Sequence, residues 1–378
     1  MKKILMMNTR YLPGYKDGGP LRTVKNVSDI LGDEYDIRVL CLDRDYDDLK
    51  PYEGIKVDEY NRVGKAKVFY ASSFSFSTIR RLANECDLVY CCGPYGTYSM
   101  KSLLLNRLGL IKAPYVLAPQ GSFSPGAYAI KNTKKKFYIS VMKMLGMFKH
   151  VYWSVTSKME EEELSAVVGN NLVTYEACDL PRSEYVDHNR IKEDGVLKVI
   201  FLSRICVKKN LEFAIKSLAA VDNTKRVIFH IYGFVEDAAY WEKCKALLDK
   251  LPANIQWEYK GEADASMVPK VFADYDLFLF PTMGENYGHV IAESLMAGCP
   301  VMISDQTPWH DCKDCGCGFE YSLTDGEMFG KKIAELVDES PDEYKKRCDA
   351  ALSYIRSKNE DSIKNSGYRK IFDIEKRK

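Results

Sequence analysis

LFLFPTMGENYGHVIAESLMAGCPVMI, Leu277 to Ile303, reads as a buried strand, a glycine-bearing loop, a helix and a second buried strand. The apolar run Leu277 to Phe280 stops at Pro281, which has no amide to continue a sheet ladder. A helix begins near Gly288, and Val301 to Ile303 is apolar again. A strand, a helix and a strand in so short a span imply a parallel pair joined by a right-handed crossover.

The same alternation extends outward in both directions. Short apolar runs occur at Ile4 to Met7, Ile37 to Leu42, Leu88 to Cys92, Tyr115 to Ala118, Val151 to Val155, Val199 to Leu202 and Val227 to Tyr232. Strands alternating with helices predict a doubly wound α/β fold. Between Thr174 and Gly195 the apolar periodicity fails, and Pro181, Gly195 and many charges intervene, so this stretch is expected to be an interdomain linker. Two Rossmann-like doubly wound domains follow, over 1–180 and 196–361, facing a central cleft that takes the ligand at the carboxyl ends of the strands. After Ser340-Pro341 the chain reads as two helices broken near Asn365 to Gly367.

The chain's 378 residues are ample for two cores, and 46% hydrophobic with 28% charged residues excludes wholesale disorder. Lys plus Arg number 54 against 53 Asp plus Glu, a net charge of +1. Such a balance gives no global attraction to nucleic acid, and none is expected as a partner. The charge is uneven along the chain: 26 basic and 21 acidic residues up to Glu184 give +5, and the remaining 28 and 32 give −4. Twelve cysteines spread thinly over a long chain, with no apolar run of signal-peptide or membrane-spanning length, read as reduced thiols of a cytoplasmic protein. Cys312, Cys315 and Cys317 supply three thiols at uneven spacing without a second paired CxxC, so they read as loop cysteines rather than as a zinc site.

Three stretches carry chemistry. In the loop after Phe280, Glu285 precedes a helix start at Gly288 to Val290 whose unpaired amides and dipole form an anion site, and Glu293 lies in the second turn. A phosphate on those amides, with carboxylates to accept hydroxyl hydrogens, describes a sugar-nucleotide pocket. In VIFLSRICVKKN, Val199 to Asn210, a buried strand ends at Ser203 and Arg204, Lys208 and Lys209 follow at once. Cations there can neutralise a diphosphate leaving group. In LPGYKDGGPLRTVKNVSDIL, Leu12 to Leu31, Gly18 and Gly19 let the backbone approach a ligand closely, and Pro20 opens a helix with Val24, Val27 and Leu31 on one stripe.

In this order, GGPLRTV (Gly18 to Val24), SRICVKKN (Ser203 to Asn210) and ENYGHVIAESLMAGCPVMISDQTPW (Glu285 to Trp309) resemble the motifs of family 4 of the retaining glycosyltransferases, the group 1 glycosyl transferases with the GT-B fold. The resemblance implies transfer of a sugar from a nucleotide-sugar donor, such as a UDP- or GDP-sugar, to a saccharide or lipid-linked saccharide acceptor, with retention of anomeric configuration. It makes the first domain acceptor-binding and the second donor-binding, and it returns the last helix, from about Ser362, to the first domain. By the same resemblance Arg204 and Lys209 hold the diphosphate, Glu285 the sugar hydroxyls and Glu293 the ribose, and the backbone from Asn286 and Tyr287 through Gly288, His289 and Val290 cradles phosphate. No metal ion or other cofactor is implied. Many relatives carry a histidine of the first domain at the reacting sugar, but none of the five histidines here precedes His150. The loop LAPQGSFSPGA, Leu117 to Ala127, offers Gln120, which joins Arg204, Lys209 and Glu285 as a candidate catalytic residue. Ala177-Cys178 stands where the family usually has Asn-Gly.

Lys131 to His150 has six lysines, no acid, and apolar residues at helical spacing. Two readings stand: peripheral contact with an anionic membrane face, or a helix packed on its own domain with its charges in water. A sugar-nucleotide epimerase or phosphorylase on the same architecture is the enzymatic rival, and an inactive partner subunit the non-enzymatic one.

Overall fold

The computed structural model describes residues 1–14, 18–46, 48–124, 132–182, 185–186, 190–264 and 267–375. The chain divides into two compact units, Met1–Ser183 with Asp361–Lys378 and Glu184–Glu360.

The first unit holds strands β1 (Lys3–Met7), β2 (Asp36–Leu42), β3 (Tyr60–Val63), β4 (Ala66–Ala71), β5 (Leu88–Cys92), β6 (Tyr115–Ala118), β7 (Val151–Val155) and β8 (Val173–Glu176). They form one sheet in the order β3-β4-β2-β1-β5-β6-β7-β8, in which only β3 runs antiparallel to its neighbour. Helices α1 (Gly19–Leu31), α2 (Phe76–Asn84), α3 (Thr97–Arg107), α4 (Asn132–Met144) and α5 (Lys158–Val168) cross between strands. Alternate residues of each central strand enter opposite cores: Leu5, Leu40, Val89, Leu117 and Trp153 pack on one face, and Ile4, Met6, Val39, Tyr90 and Val116 on the other. Burial on both faces explains why these strands read as unbroken apolar runs.

Strand β8 corrects the expected start of the linker. Val173 and Tyr175 pack on the core while the whole strand stays partly exposed at the sheet edge, so its polar residues mimic a loop in the sequence. Strand β3 gives little sequence signal for a related reason: it is short and no residue of it is buried.

The second unit holds β9 (Val196–Leu202), β10 (Arg226–Tyr232), β11 (Ile255–Gly261), β12 (Leu277–Phe280), β13 (Val301–Ser304) and β14 (Gly318–Tyr321). Its helices are α6 (Leu211–Ala219), α7 (Ala238–Leu248), α8 (Val268–Phe272), α9 (His289–Met296), α10 (Gly326–Val337) and most of α11 (Pro341–Lys364). The sheet is wholly parallel in the order β11-β10-β9-β12-β13-β14. Strand order therefore reverses between β9 and β12, and a crevice opens beyond their carboxyl ends at such a switch point.

The chain returns to the first unit through α11 and ends there in α12 (Gly367–Phe372). Tyr368 and Phe372 are buried and their rings meet Tyr90, with Phe372 also edge-on to Tyr35. At Gly367 a Cβ would stand 2.0 Å from the Glu176 carbonyl oxygen, so only glycine lets this helix approach β8 so closely. No helix among the described residues is long and apolar enough to cross a membrane.

Candidate functional site

At the switch point of the second unit, the loop after β9 is knitted to the loop after β10: Ser203 N–H donates to the Tyr232 carbonyl at 3.1 Å and Ile205 N–H to that of Phe234 at 2.8 Å. Arg204 stands on this framework, exposed and paired with Glu236 at 2.7 Å. An exposed pair of this kind contributes little to stability, so the guanidinium is available to a competing anion. A single 3₁₀ turn, Val207–Lys209, brings the chain to Asn210, whose left-handed backbone (φ 61°) is held by its side-chain amide donating to the Pro281 carbonyl at 2.9 Å. Met283 N–H returns a bond to the Lys208 carbonyl at 2.9 Å. The ends of β9 and β12 are thereby locked together.

That lock brings Lys209 to Glu285. Lys209 Nζ lies 2.6 Å from Glu285 Oε1, and Thr282 Oγ1 donates to the same oxygen at 2.8 Å. None of the described residues donates to Glu285 Oε2. Burial pushes the Glu285 carboxyl up, but the Lys209 and Lys208 ammoniums and the Thr282 hydroxyl outweigh it and hold the group below the usual carboxylate range. Lys208 moves down, first through burial and then through the neighbouring Lys209 and Arg204 charges, against the opposing pull of Glu285. Three cations and one carboxylate thus share the loops at the reversal of the sheet.

Gly288 starts α9 with φ 85° and ψ 57°, a left-handed cap that favours glycine, and Ile291 and Ala292 amides bond back to its carbonyl. The amides at the start of this eight-residue helix precede any carbonyl that could satisfy them within it. The loop is pinned from behind by Trp309, fully buried, whose indole N–H donates to the Tyr287 carbonyl and whose ring meets that of Tyr287 at 5.4 Å. Tyr287 is buried, Asn286, His289 and Val290 are partly exposed, and the Tyr287 and His289 rings are 4.9 Å apart. Glu293 is buried at 2% exposure in the second turn of α9.

Sequence reasoning passed over Thr282, Asn210 and Trp309. The strand-ending Pro281-Thr282 and the Asn210 after the lysines were visible signals, but their partners lie 71 to 76 residues away in the chain and only the register of β9 beside β12 joins them. Cys312 and Cys317 are buried and Cys315 is exposed, and His310 Nδ1 lies 2.7 Å from Glu320 Oε2. Among the described residues no group of three His, Cys, Asp or Glu side chains is arranged to hold a metal ion.

In the first unit, Gly18 takes φ 67° at the start of α1, with Gly19 and Pro20 in the first turn. The end of β6 carries Gln120, whose side-chain amide oxygen and nitrogen are both buried and have no hydrogen-bond partner among the described residues. The rest of that loop beyond Ser124, and Lys131 at the head of the basic segment, lie outside the described residues. The helix of that segment, α4, is part buried and part exposed: Ile139 and Met142 enter the core, while Phe137 and Met144 are 72% and 78% exposed.

Known proteins share this fold. Residues 184–352 match the family model described as "Glycosyl transferases group 1". A curated relative, an uncharacterised 41.2 kDa protein in the cps region of Klebsiella pneumoniae, is 22% identical over 313 residues, covering 79% of this chain and 81% of the relative. HepE of Anabaena, solved in complex with UDP and glucose, superposes with a TM-score of 0.68 at 15% identity over 98% of both chains. WaaG, a glycosyltransferase involved in lipopolysaccharide biosynthesis, gives 0.64 at 15% identity, covering 96% of this chain and 98% of its own. Both units therefore have the fold of GT-B glycosyltransferases.

Proposed function

We propose that the chain, whose residues 184–352 match the group 1 glycosyl transferase model, moves a sugar from a nucleotide-sugar donor to a saccharide acceptor with retention of anomeric configuration. The observation that carries the reading is the Lys209–Glu285 pair at the switch point, where one engaged carboxylate oxygen leaves the other to a ligand.

In this reading the donor's diphosphate rests against Arg204, Lys209 and the amides around Gly288 to Val290. Glu285 Oε2 accepts from a hydroxyl of the transferred sugar and Glu293 serves the ribose. The bond from the anomeric carbon to the phosphate oxygen breaks while positive charge grows on the sugar and negative charge on the diphosphate. Cations and helix amides already in place stabilise that charge without reorganising. The acceptor hydroxyl attacks on the face the phosphate leaves, a new carbon–oxygen bond forms there, and the hydroxyl proton passes to the departing phosphate. Gly18, Gly19 and Gln120 belong to the donor and reacting-sugar contacts of the first unit.

The setting of the Klebsiella relative in a cps region, and the role of WaaG in lipopolysaccharide biosynthesis, support a surface-polysaccharide pathway and a lipid-linked acceptor. Exposed Phe137 and Met144 on α4, beside exposed Lys134 and Lys136, support peripheral contact with an anionic leaflet. The test is a panel of nucleotide sugars scored by thermal stabilisation, where a donor at about a hundred times its Kd adds roughly 2.7 kcal/mol. Anomeric analysis of the product from the donor that stabilises then decides retention. No stabilisation by any nucleotide sugar overturns the reading.

A further inference from the structure

We propose that Glu160 is a positioning residue that holds Gln120 ready to bind two neighbouring hydroxyls of the transferred sugar; the proposal rests on the transferase reading above. Pro119 to Ser122 form a tight turn at the carboxyl end of β6, closed by Ser122 N–H donating to the Pro119 carbonyl at 3.1 Å. Its two central residues, Gln120 and Gly121, both have positive φ, 51° and 68°. Glycine accepts that backbone freely, but glutamine does not. A long side chain kept in a left-handed turn must be held there by its surroundings, and such strain gathers at functional sites.

What holds it is the carboxylate of Glu160, 2% exposed at the start of α5. Its Oε1 accepts from Gly121 N–H at 2.6 Å, while its Oε2 accepts from the Thr156 N–H at 2.8 Å and the Thr156 hydroxyl at 3.0 Å. One carboxylate thus ties the β6 turn to the end of β7. Burial holds this carboxyl above the usual carboxylate range, and the Gly121 and Thr156 donors act against that shift. The outcome is a Gln120 side chain with its amide oxygen and nitrogen both buried and both unpaired among the described residues. An unpaired buried amide is costly unless a ligand completes it. An acceptor oxygen beside a donor nitrogen matches two vicinal hydroxyls, one donating and one accepting.

The experiment compares unmodified protein with Gln120→Ala, Glu160→Gln and the double variant. The readouts are hydrolysis of UDP-glucose, UDP-galactose, UDP-N-acetylglucosamine and GDP-mannose, binding of UDP and GDP, and amide exchange over Leu117 to Ser124. Each single variant should lower donor hydrolysis about tenfold or more, the scale of one to two lost hydrogen bonds, with UDP or GDP affinity unchanged. The double variant should fall no further than the worse single one, because Glu160 acts only through Gln120. Glu160→Gln should also speed exchange at Gly121, while Gln120→Ala should not. Losses that multiply in the double variant, or a Gly121 amide still protected in Glu160→Gln, overturn the proposal while leaving the transferase reading in place. If the unmodified protein hydrolyses none of the four donors and binds neither UDP nor GDP, the transferase reading falls first and the proposal with it.

Discussion

Lys209 Nζ lies 2.6 Å from Glu285 Oε1, and each side chain keeps only 11% of its surface open to solvent. Such a pair adds little net stability over apolar residues of the same size, because both charges lose water. Removing one partner is a different matter, since it strands the other. Under the proposed function the pair is poised for a ligand, the diphosphate and a sugar hydroxyl each taking a share of the two charged groups.

Lys209→Ala should therefore fail twice. Turnover should drop by a factor on the order of a hundred or more through lost charge stabilisation, and the stranded Glu285 should lower stability by about 3–5 kcal/mol. Arg204→Ala should show the same loss of turnover with an unfolding temperature close to that of the unmodified protein, because its partner Glu236 is exposed. Normal turnover in both variants would sink the diphosphate assignment.

The pair also sets an acid dependence. The folded Glu285 carboxyl titrates below its ordinary value, so its stabilising contribution is complete above the unfolded value and is lost as pH falls through the folded one. The stability gap between unmodified protein and Glu285→Gln should thus be constant near neutrality and shrink below about pH 4. Denaturant melts across that range check it, and a gap that widens in acid contradicts it.

The two acids of the site should separate by ligand. Glu293→Ala should mainly weaken binding of the free nucleoside diphosphate, and Glu285→Ala should mainly impair use of the intact donor. Titration calorimetry with UDP and GDP distinguishes them; equal affinity of the two variants for the nucleotide would refute the division of roles.

On α4, Lys134 and Lys136 are exposed whereas Lys135 lies over the Tyr95 ring at 5.5 Å. Changing Lys134 and Lys136 to Gln should reduce sedimentation with phosphatidylserine vesicles roughly thirtyfold, at about 1 kcal/mol per lysine, with donor binding intact. The attraction should fade as salt rises. Unmodified protein that ignores such vesicles at low salt would leave α4 as a helix packed on its own unit.

The central strands were legible because they are apolar on both faces: Leu88 to Cys92 is buried at every position and reads as a strand in any frame. Strands β8 and β11 were not, since a half-exposed strand alternates with polar residues and mimics a loop or an amphipathic turn. The same limit governs the site. Glu285 and the helix start at Gly288 stand in one continuous stretch, so their chemistry could be read directly. The contact of Glu285 with Lys209 depends on β9 lying beside β12, Phe278 against Ile200, and the hold of Glu160 on Gly121 depends on two strands meeting across 39 residues of chain. Periodicity carries no record of either.

The close approach of Gly367 to β8 has a consequence for the order in which the molecule is made. Residues 361–375 complete the first unit, yet they are synthesised after the whole of the second. Once residues 184–360 are joined, Tyr90 and Tyr35 still lack Phe372, and Asp179 still lacks the Tyr368 hydroxyl that bonds to it. Folding during synthesis ordinarily runs from the amino end. Here the unit begun first is the one closed last, and a chain truncated before Gly367 should be cut by protease within residues 1–180 while its second unit resists.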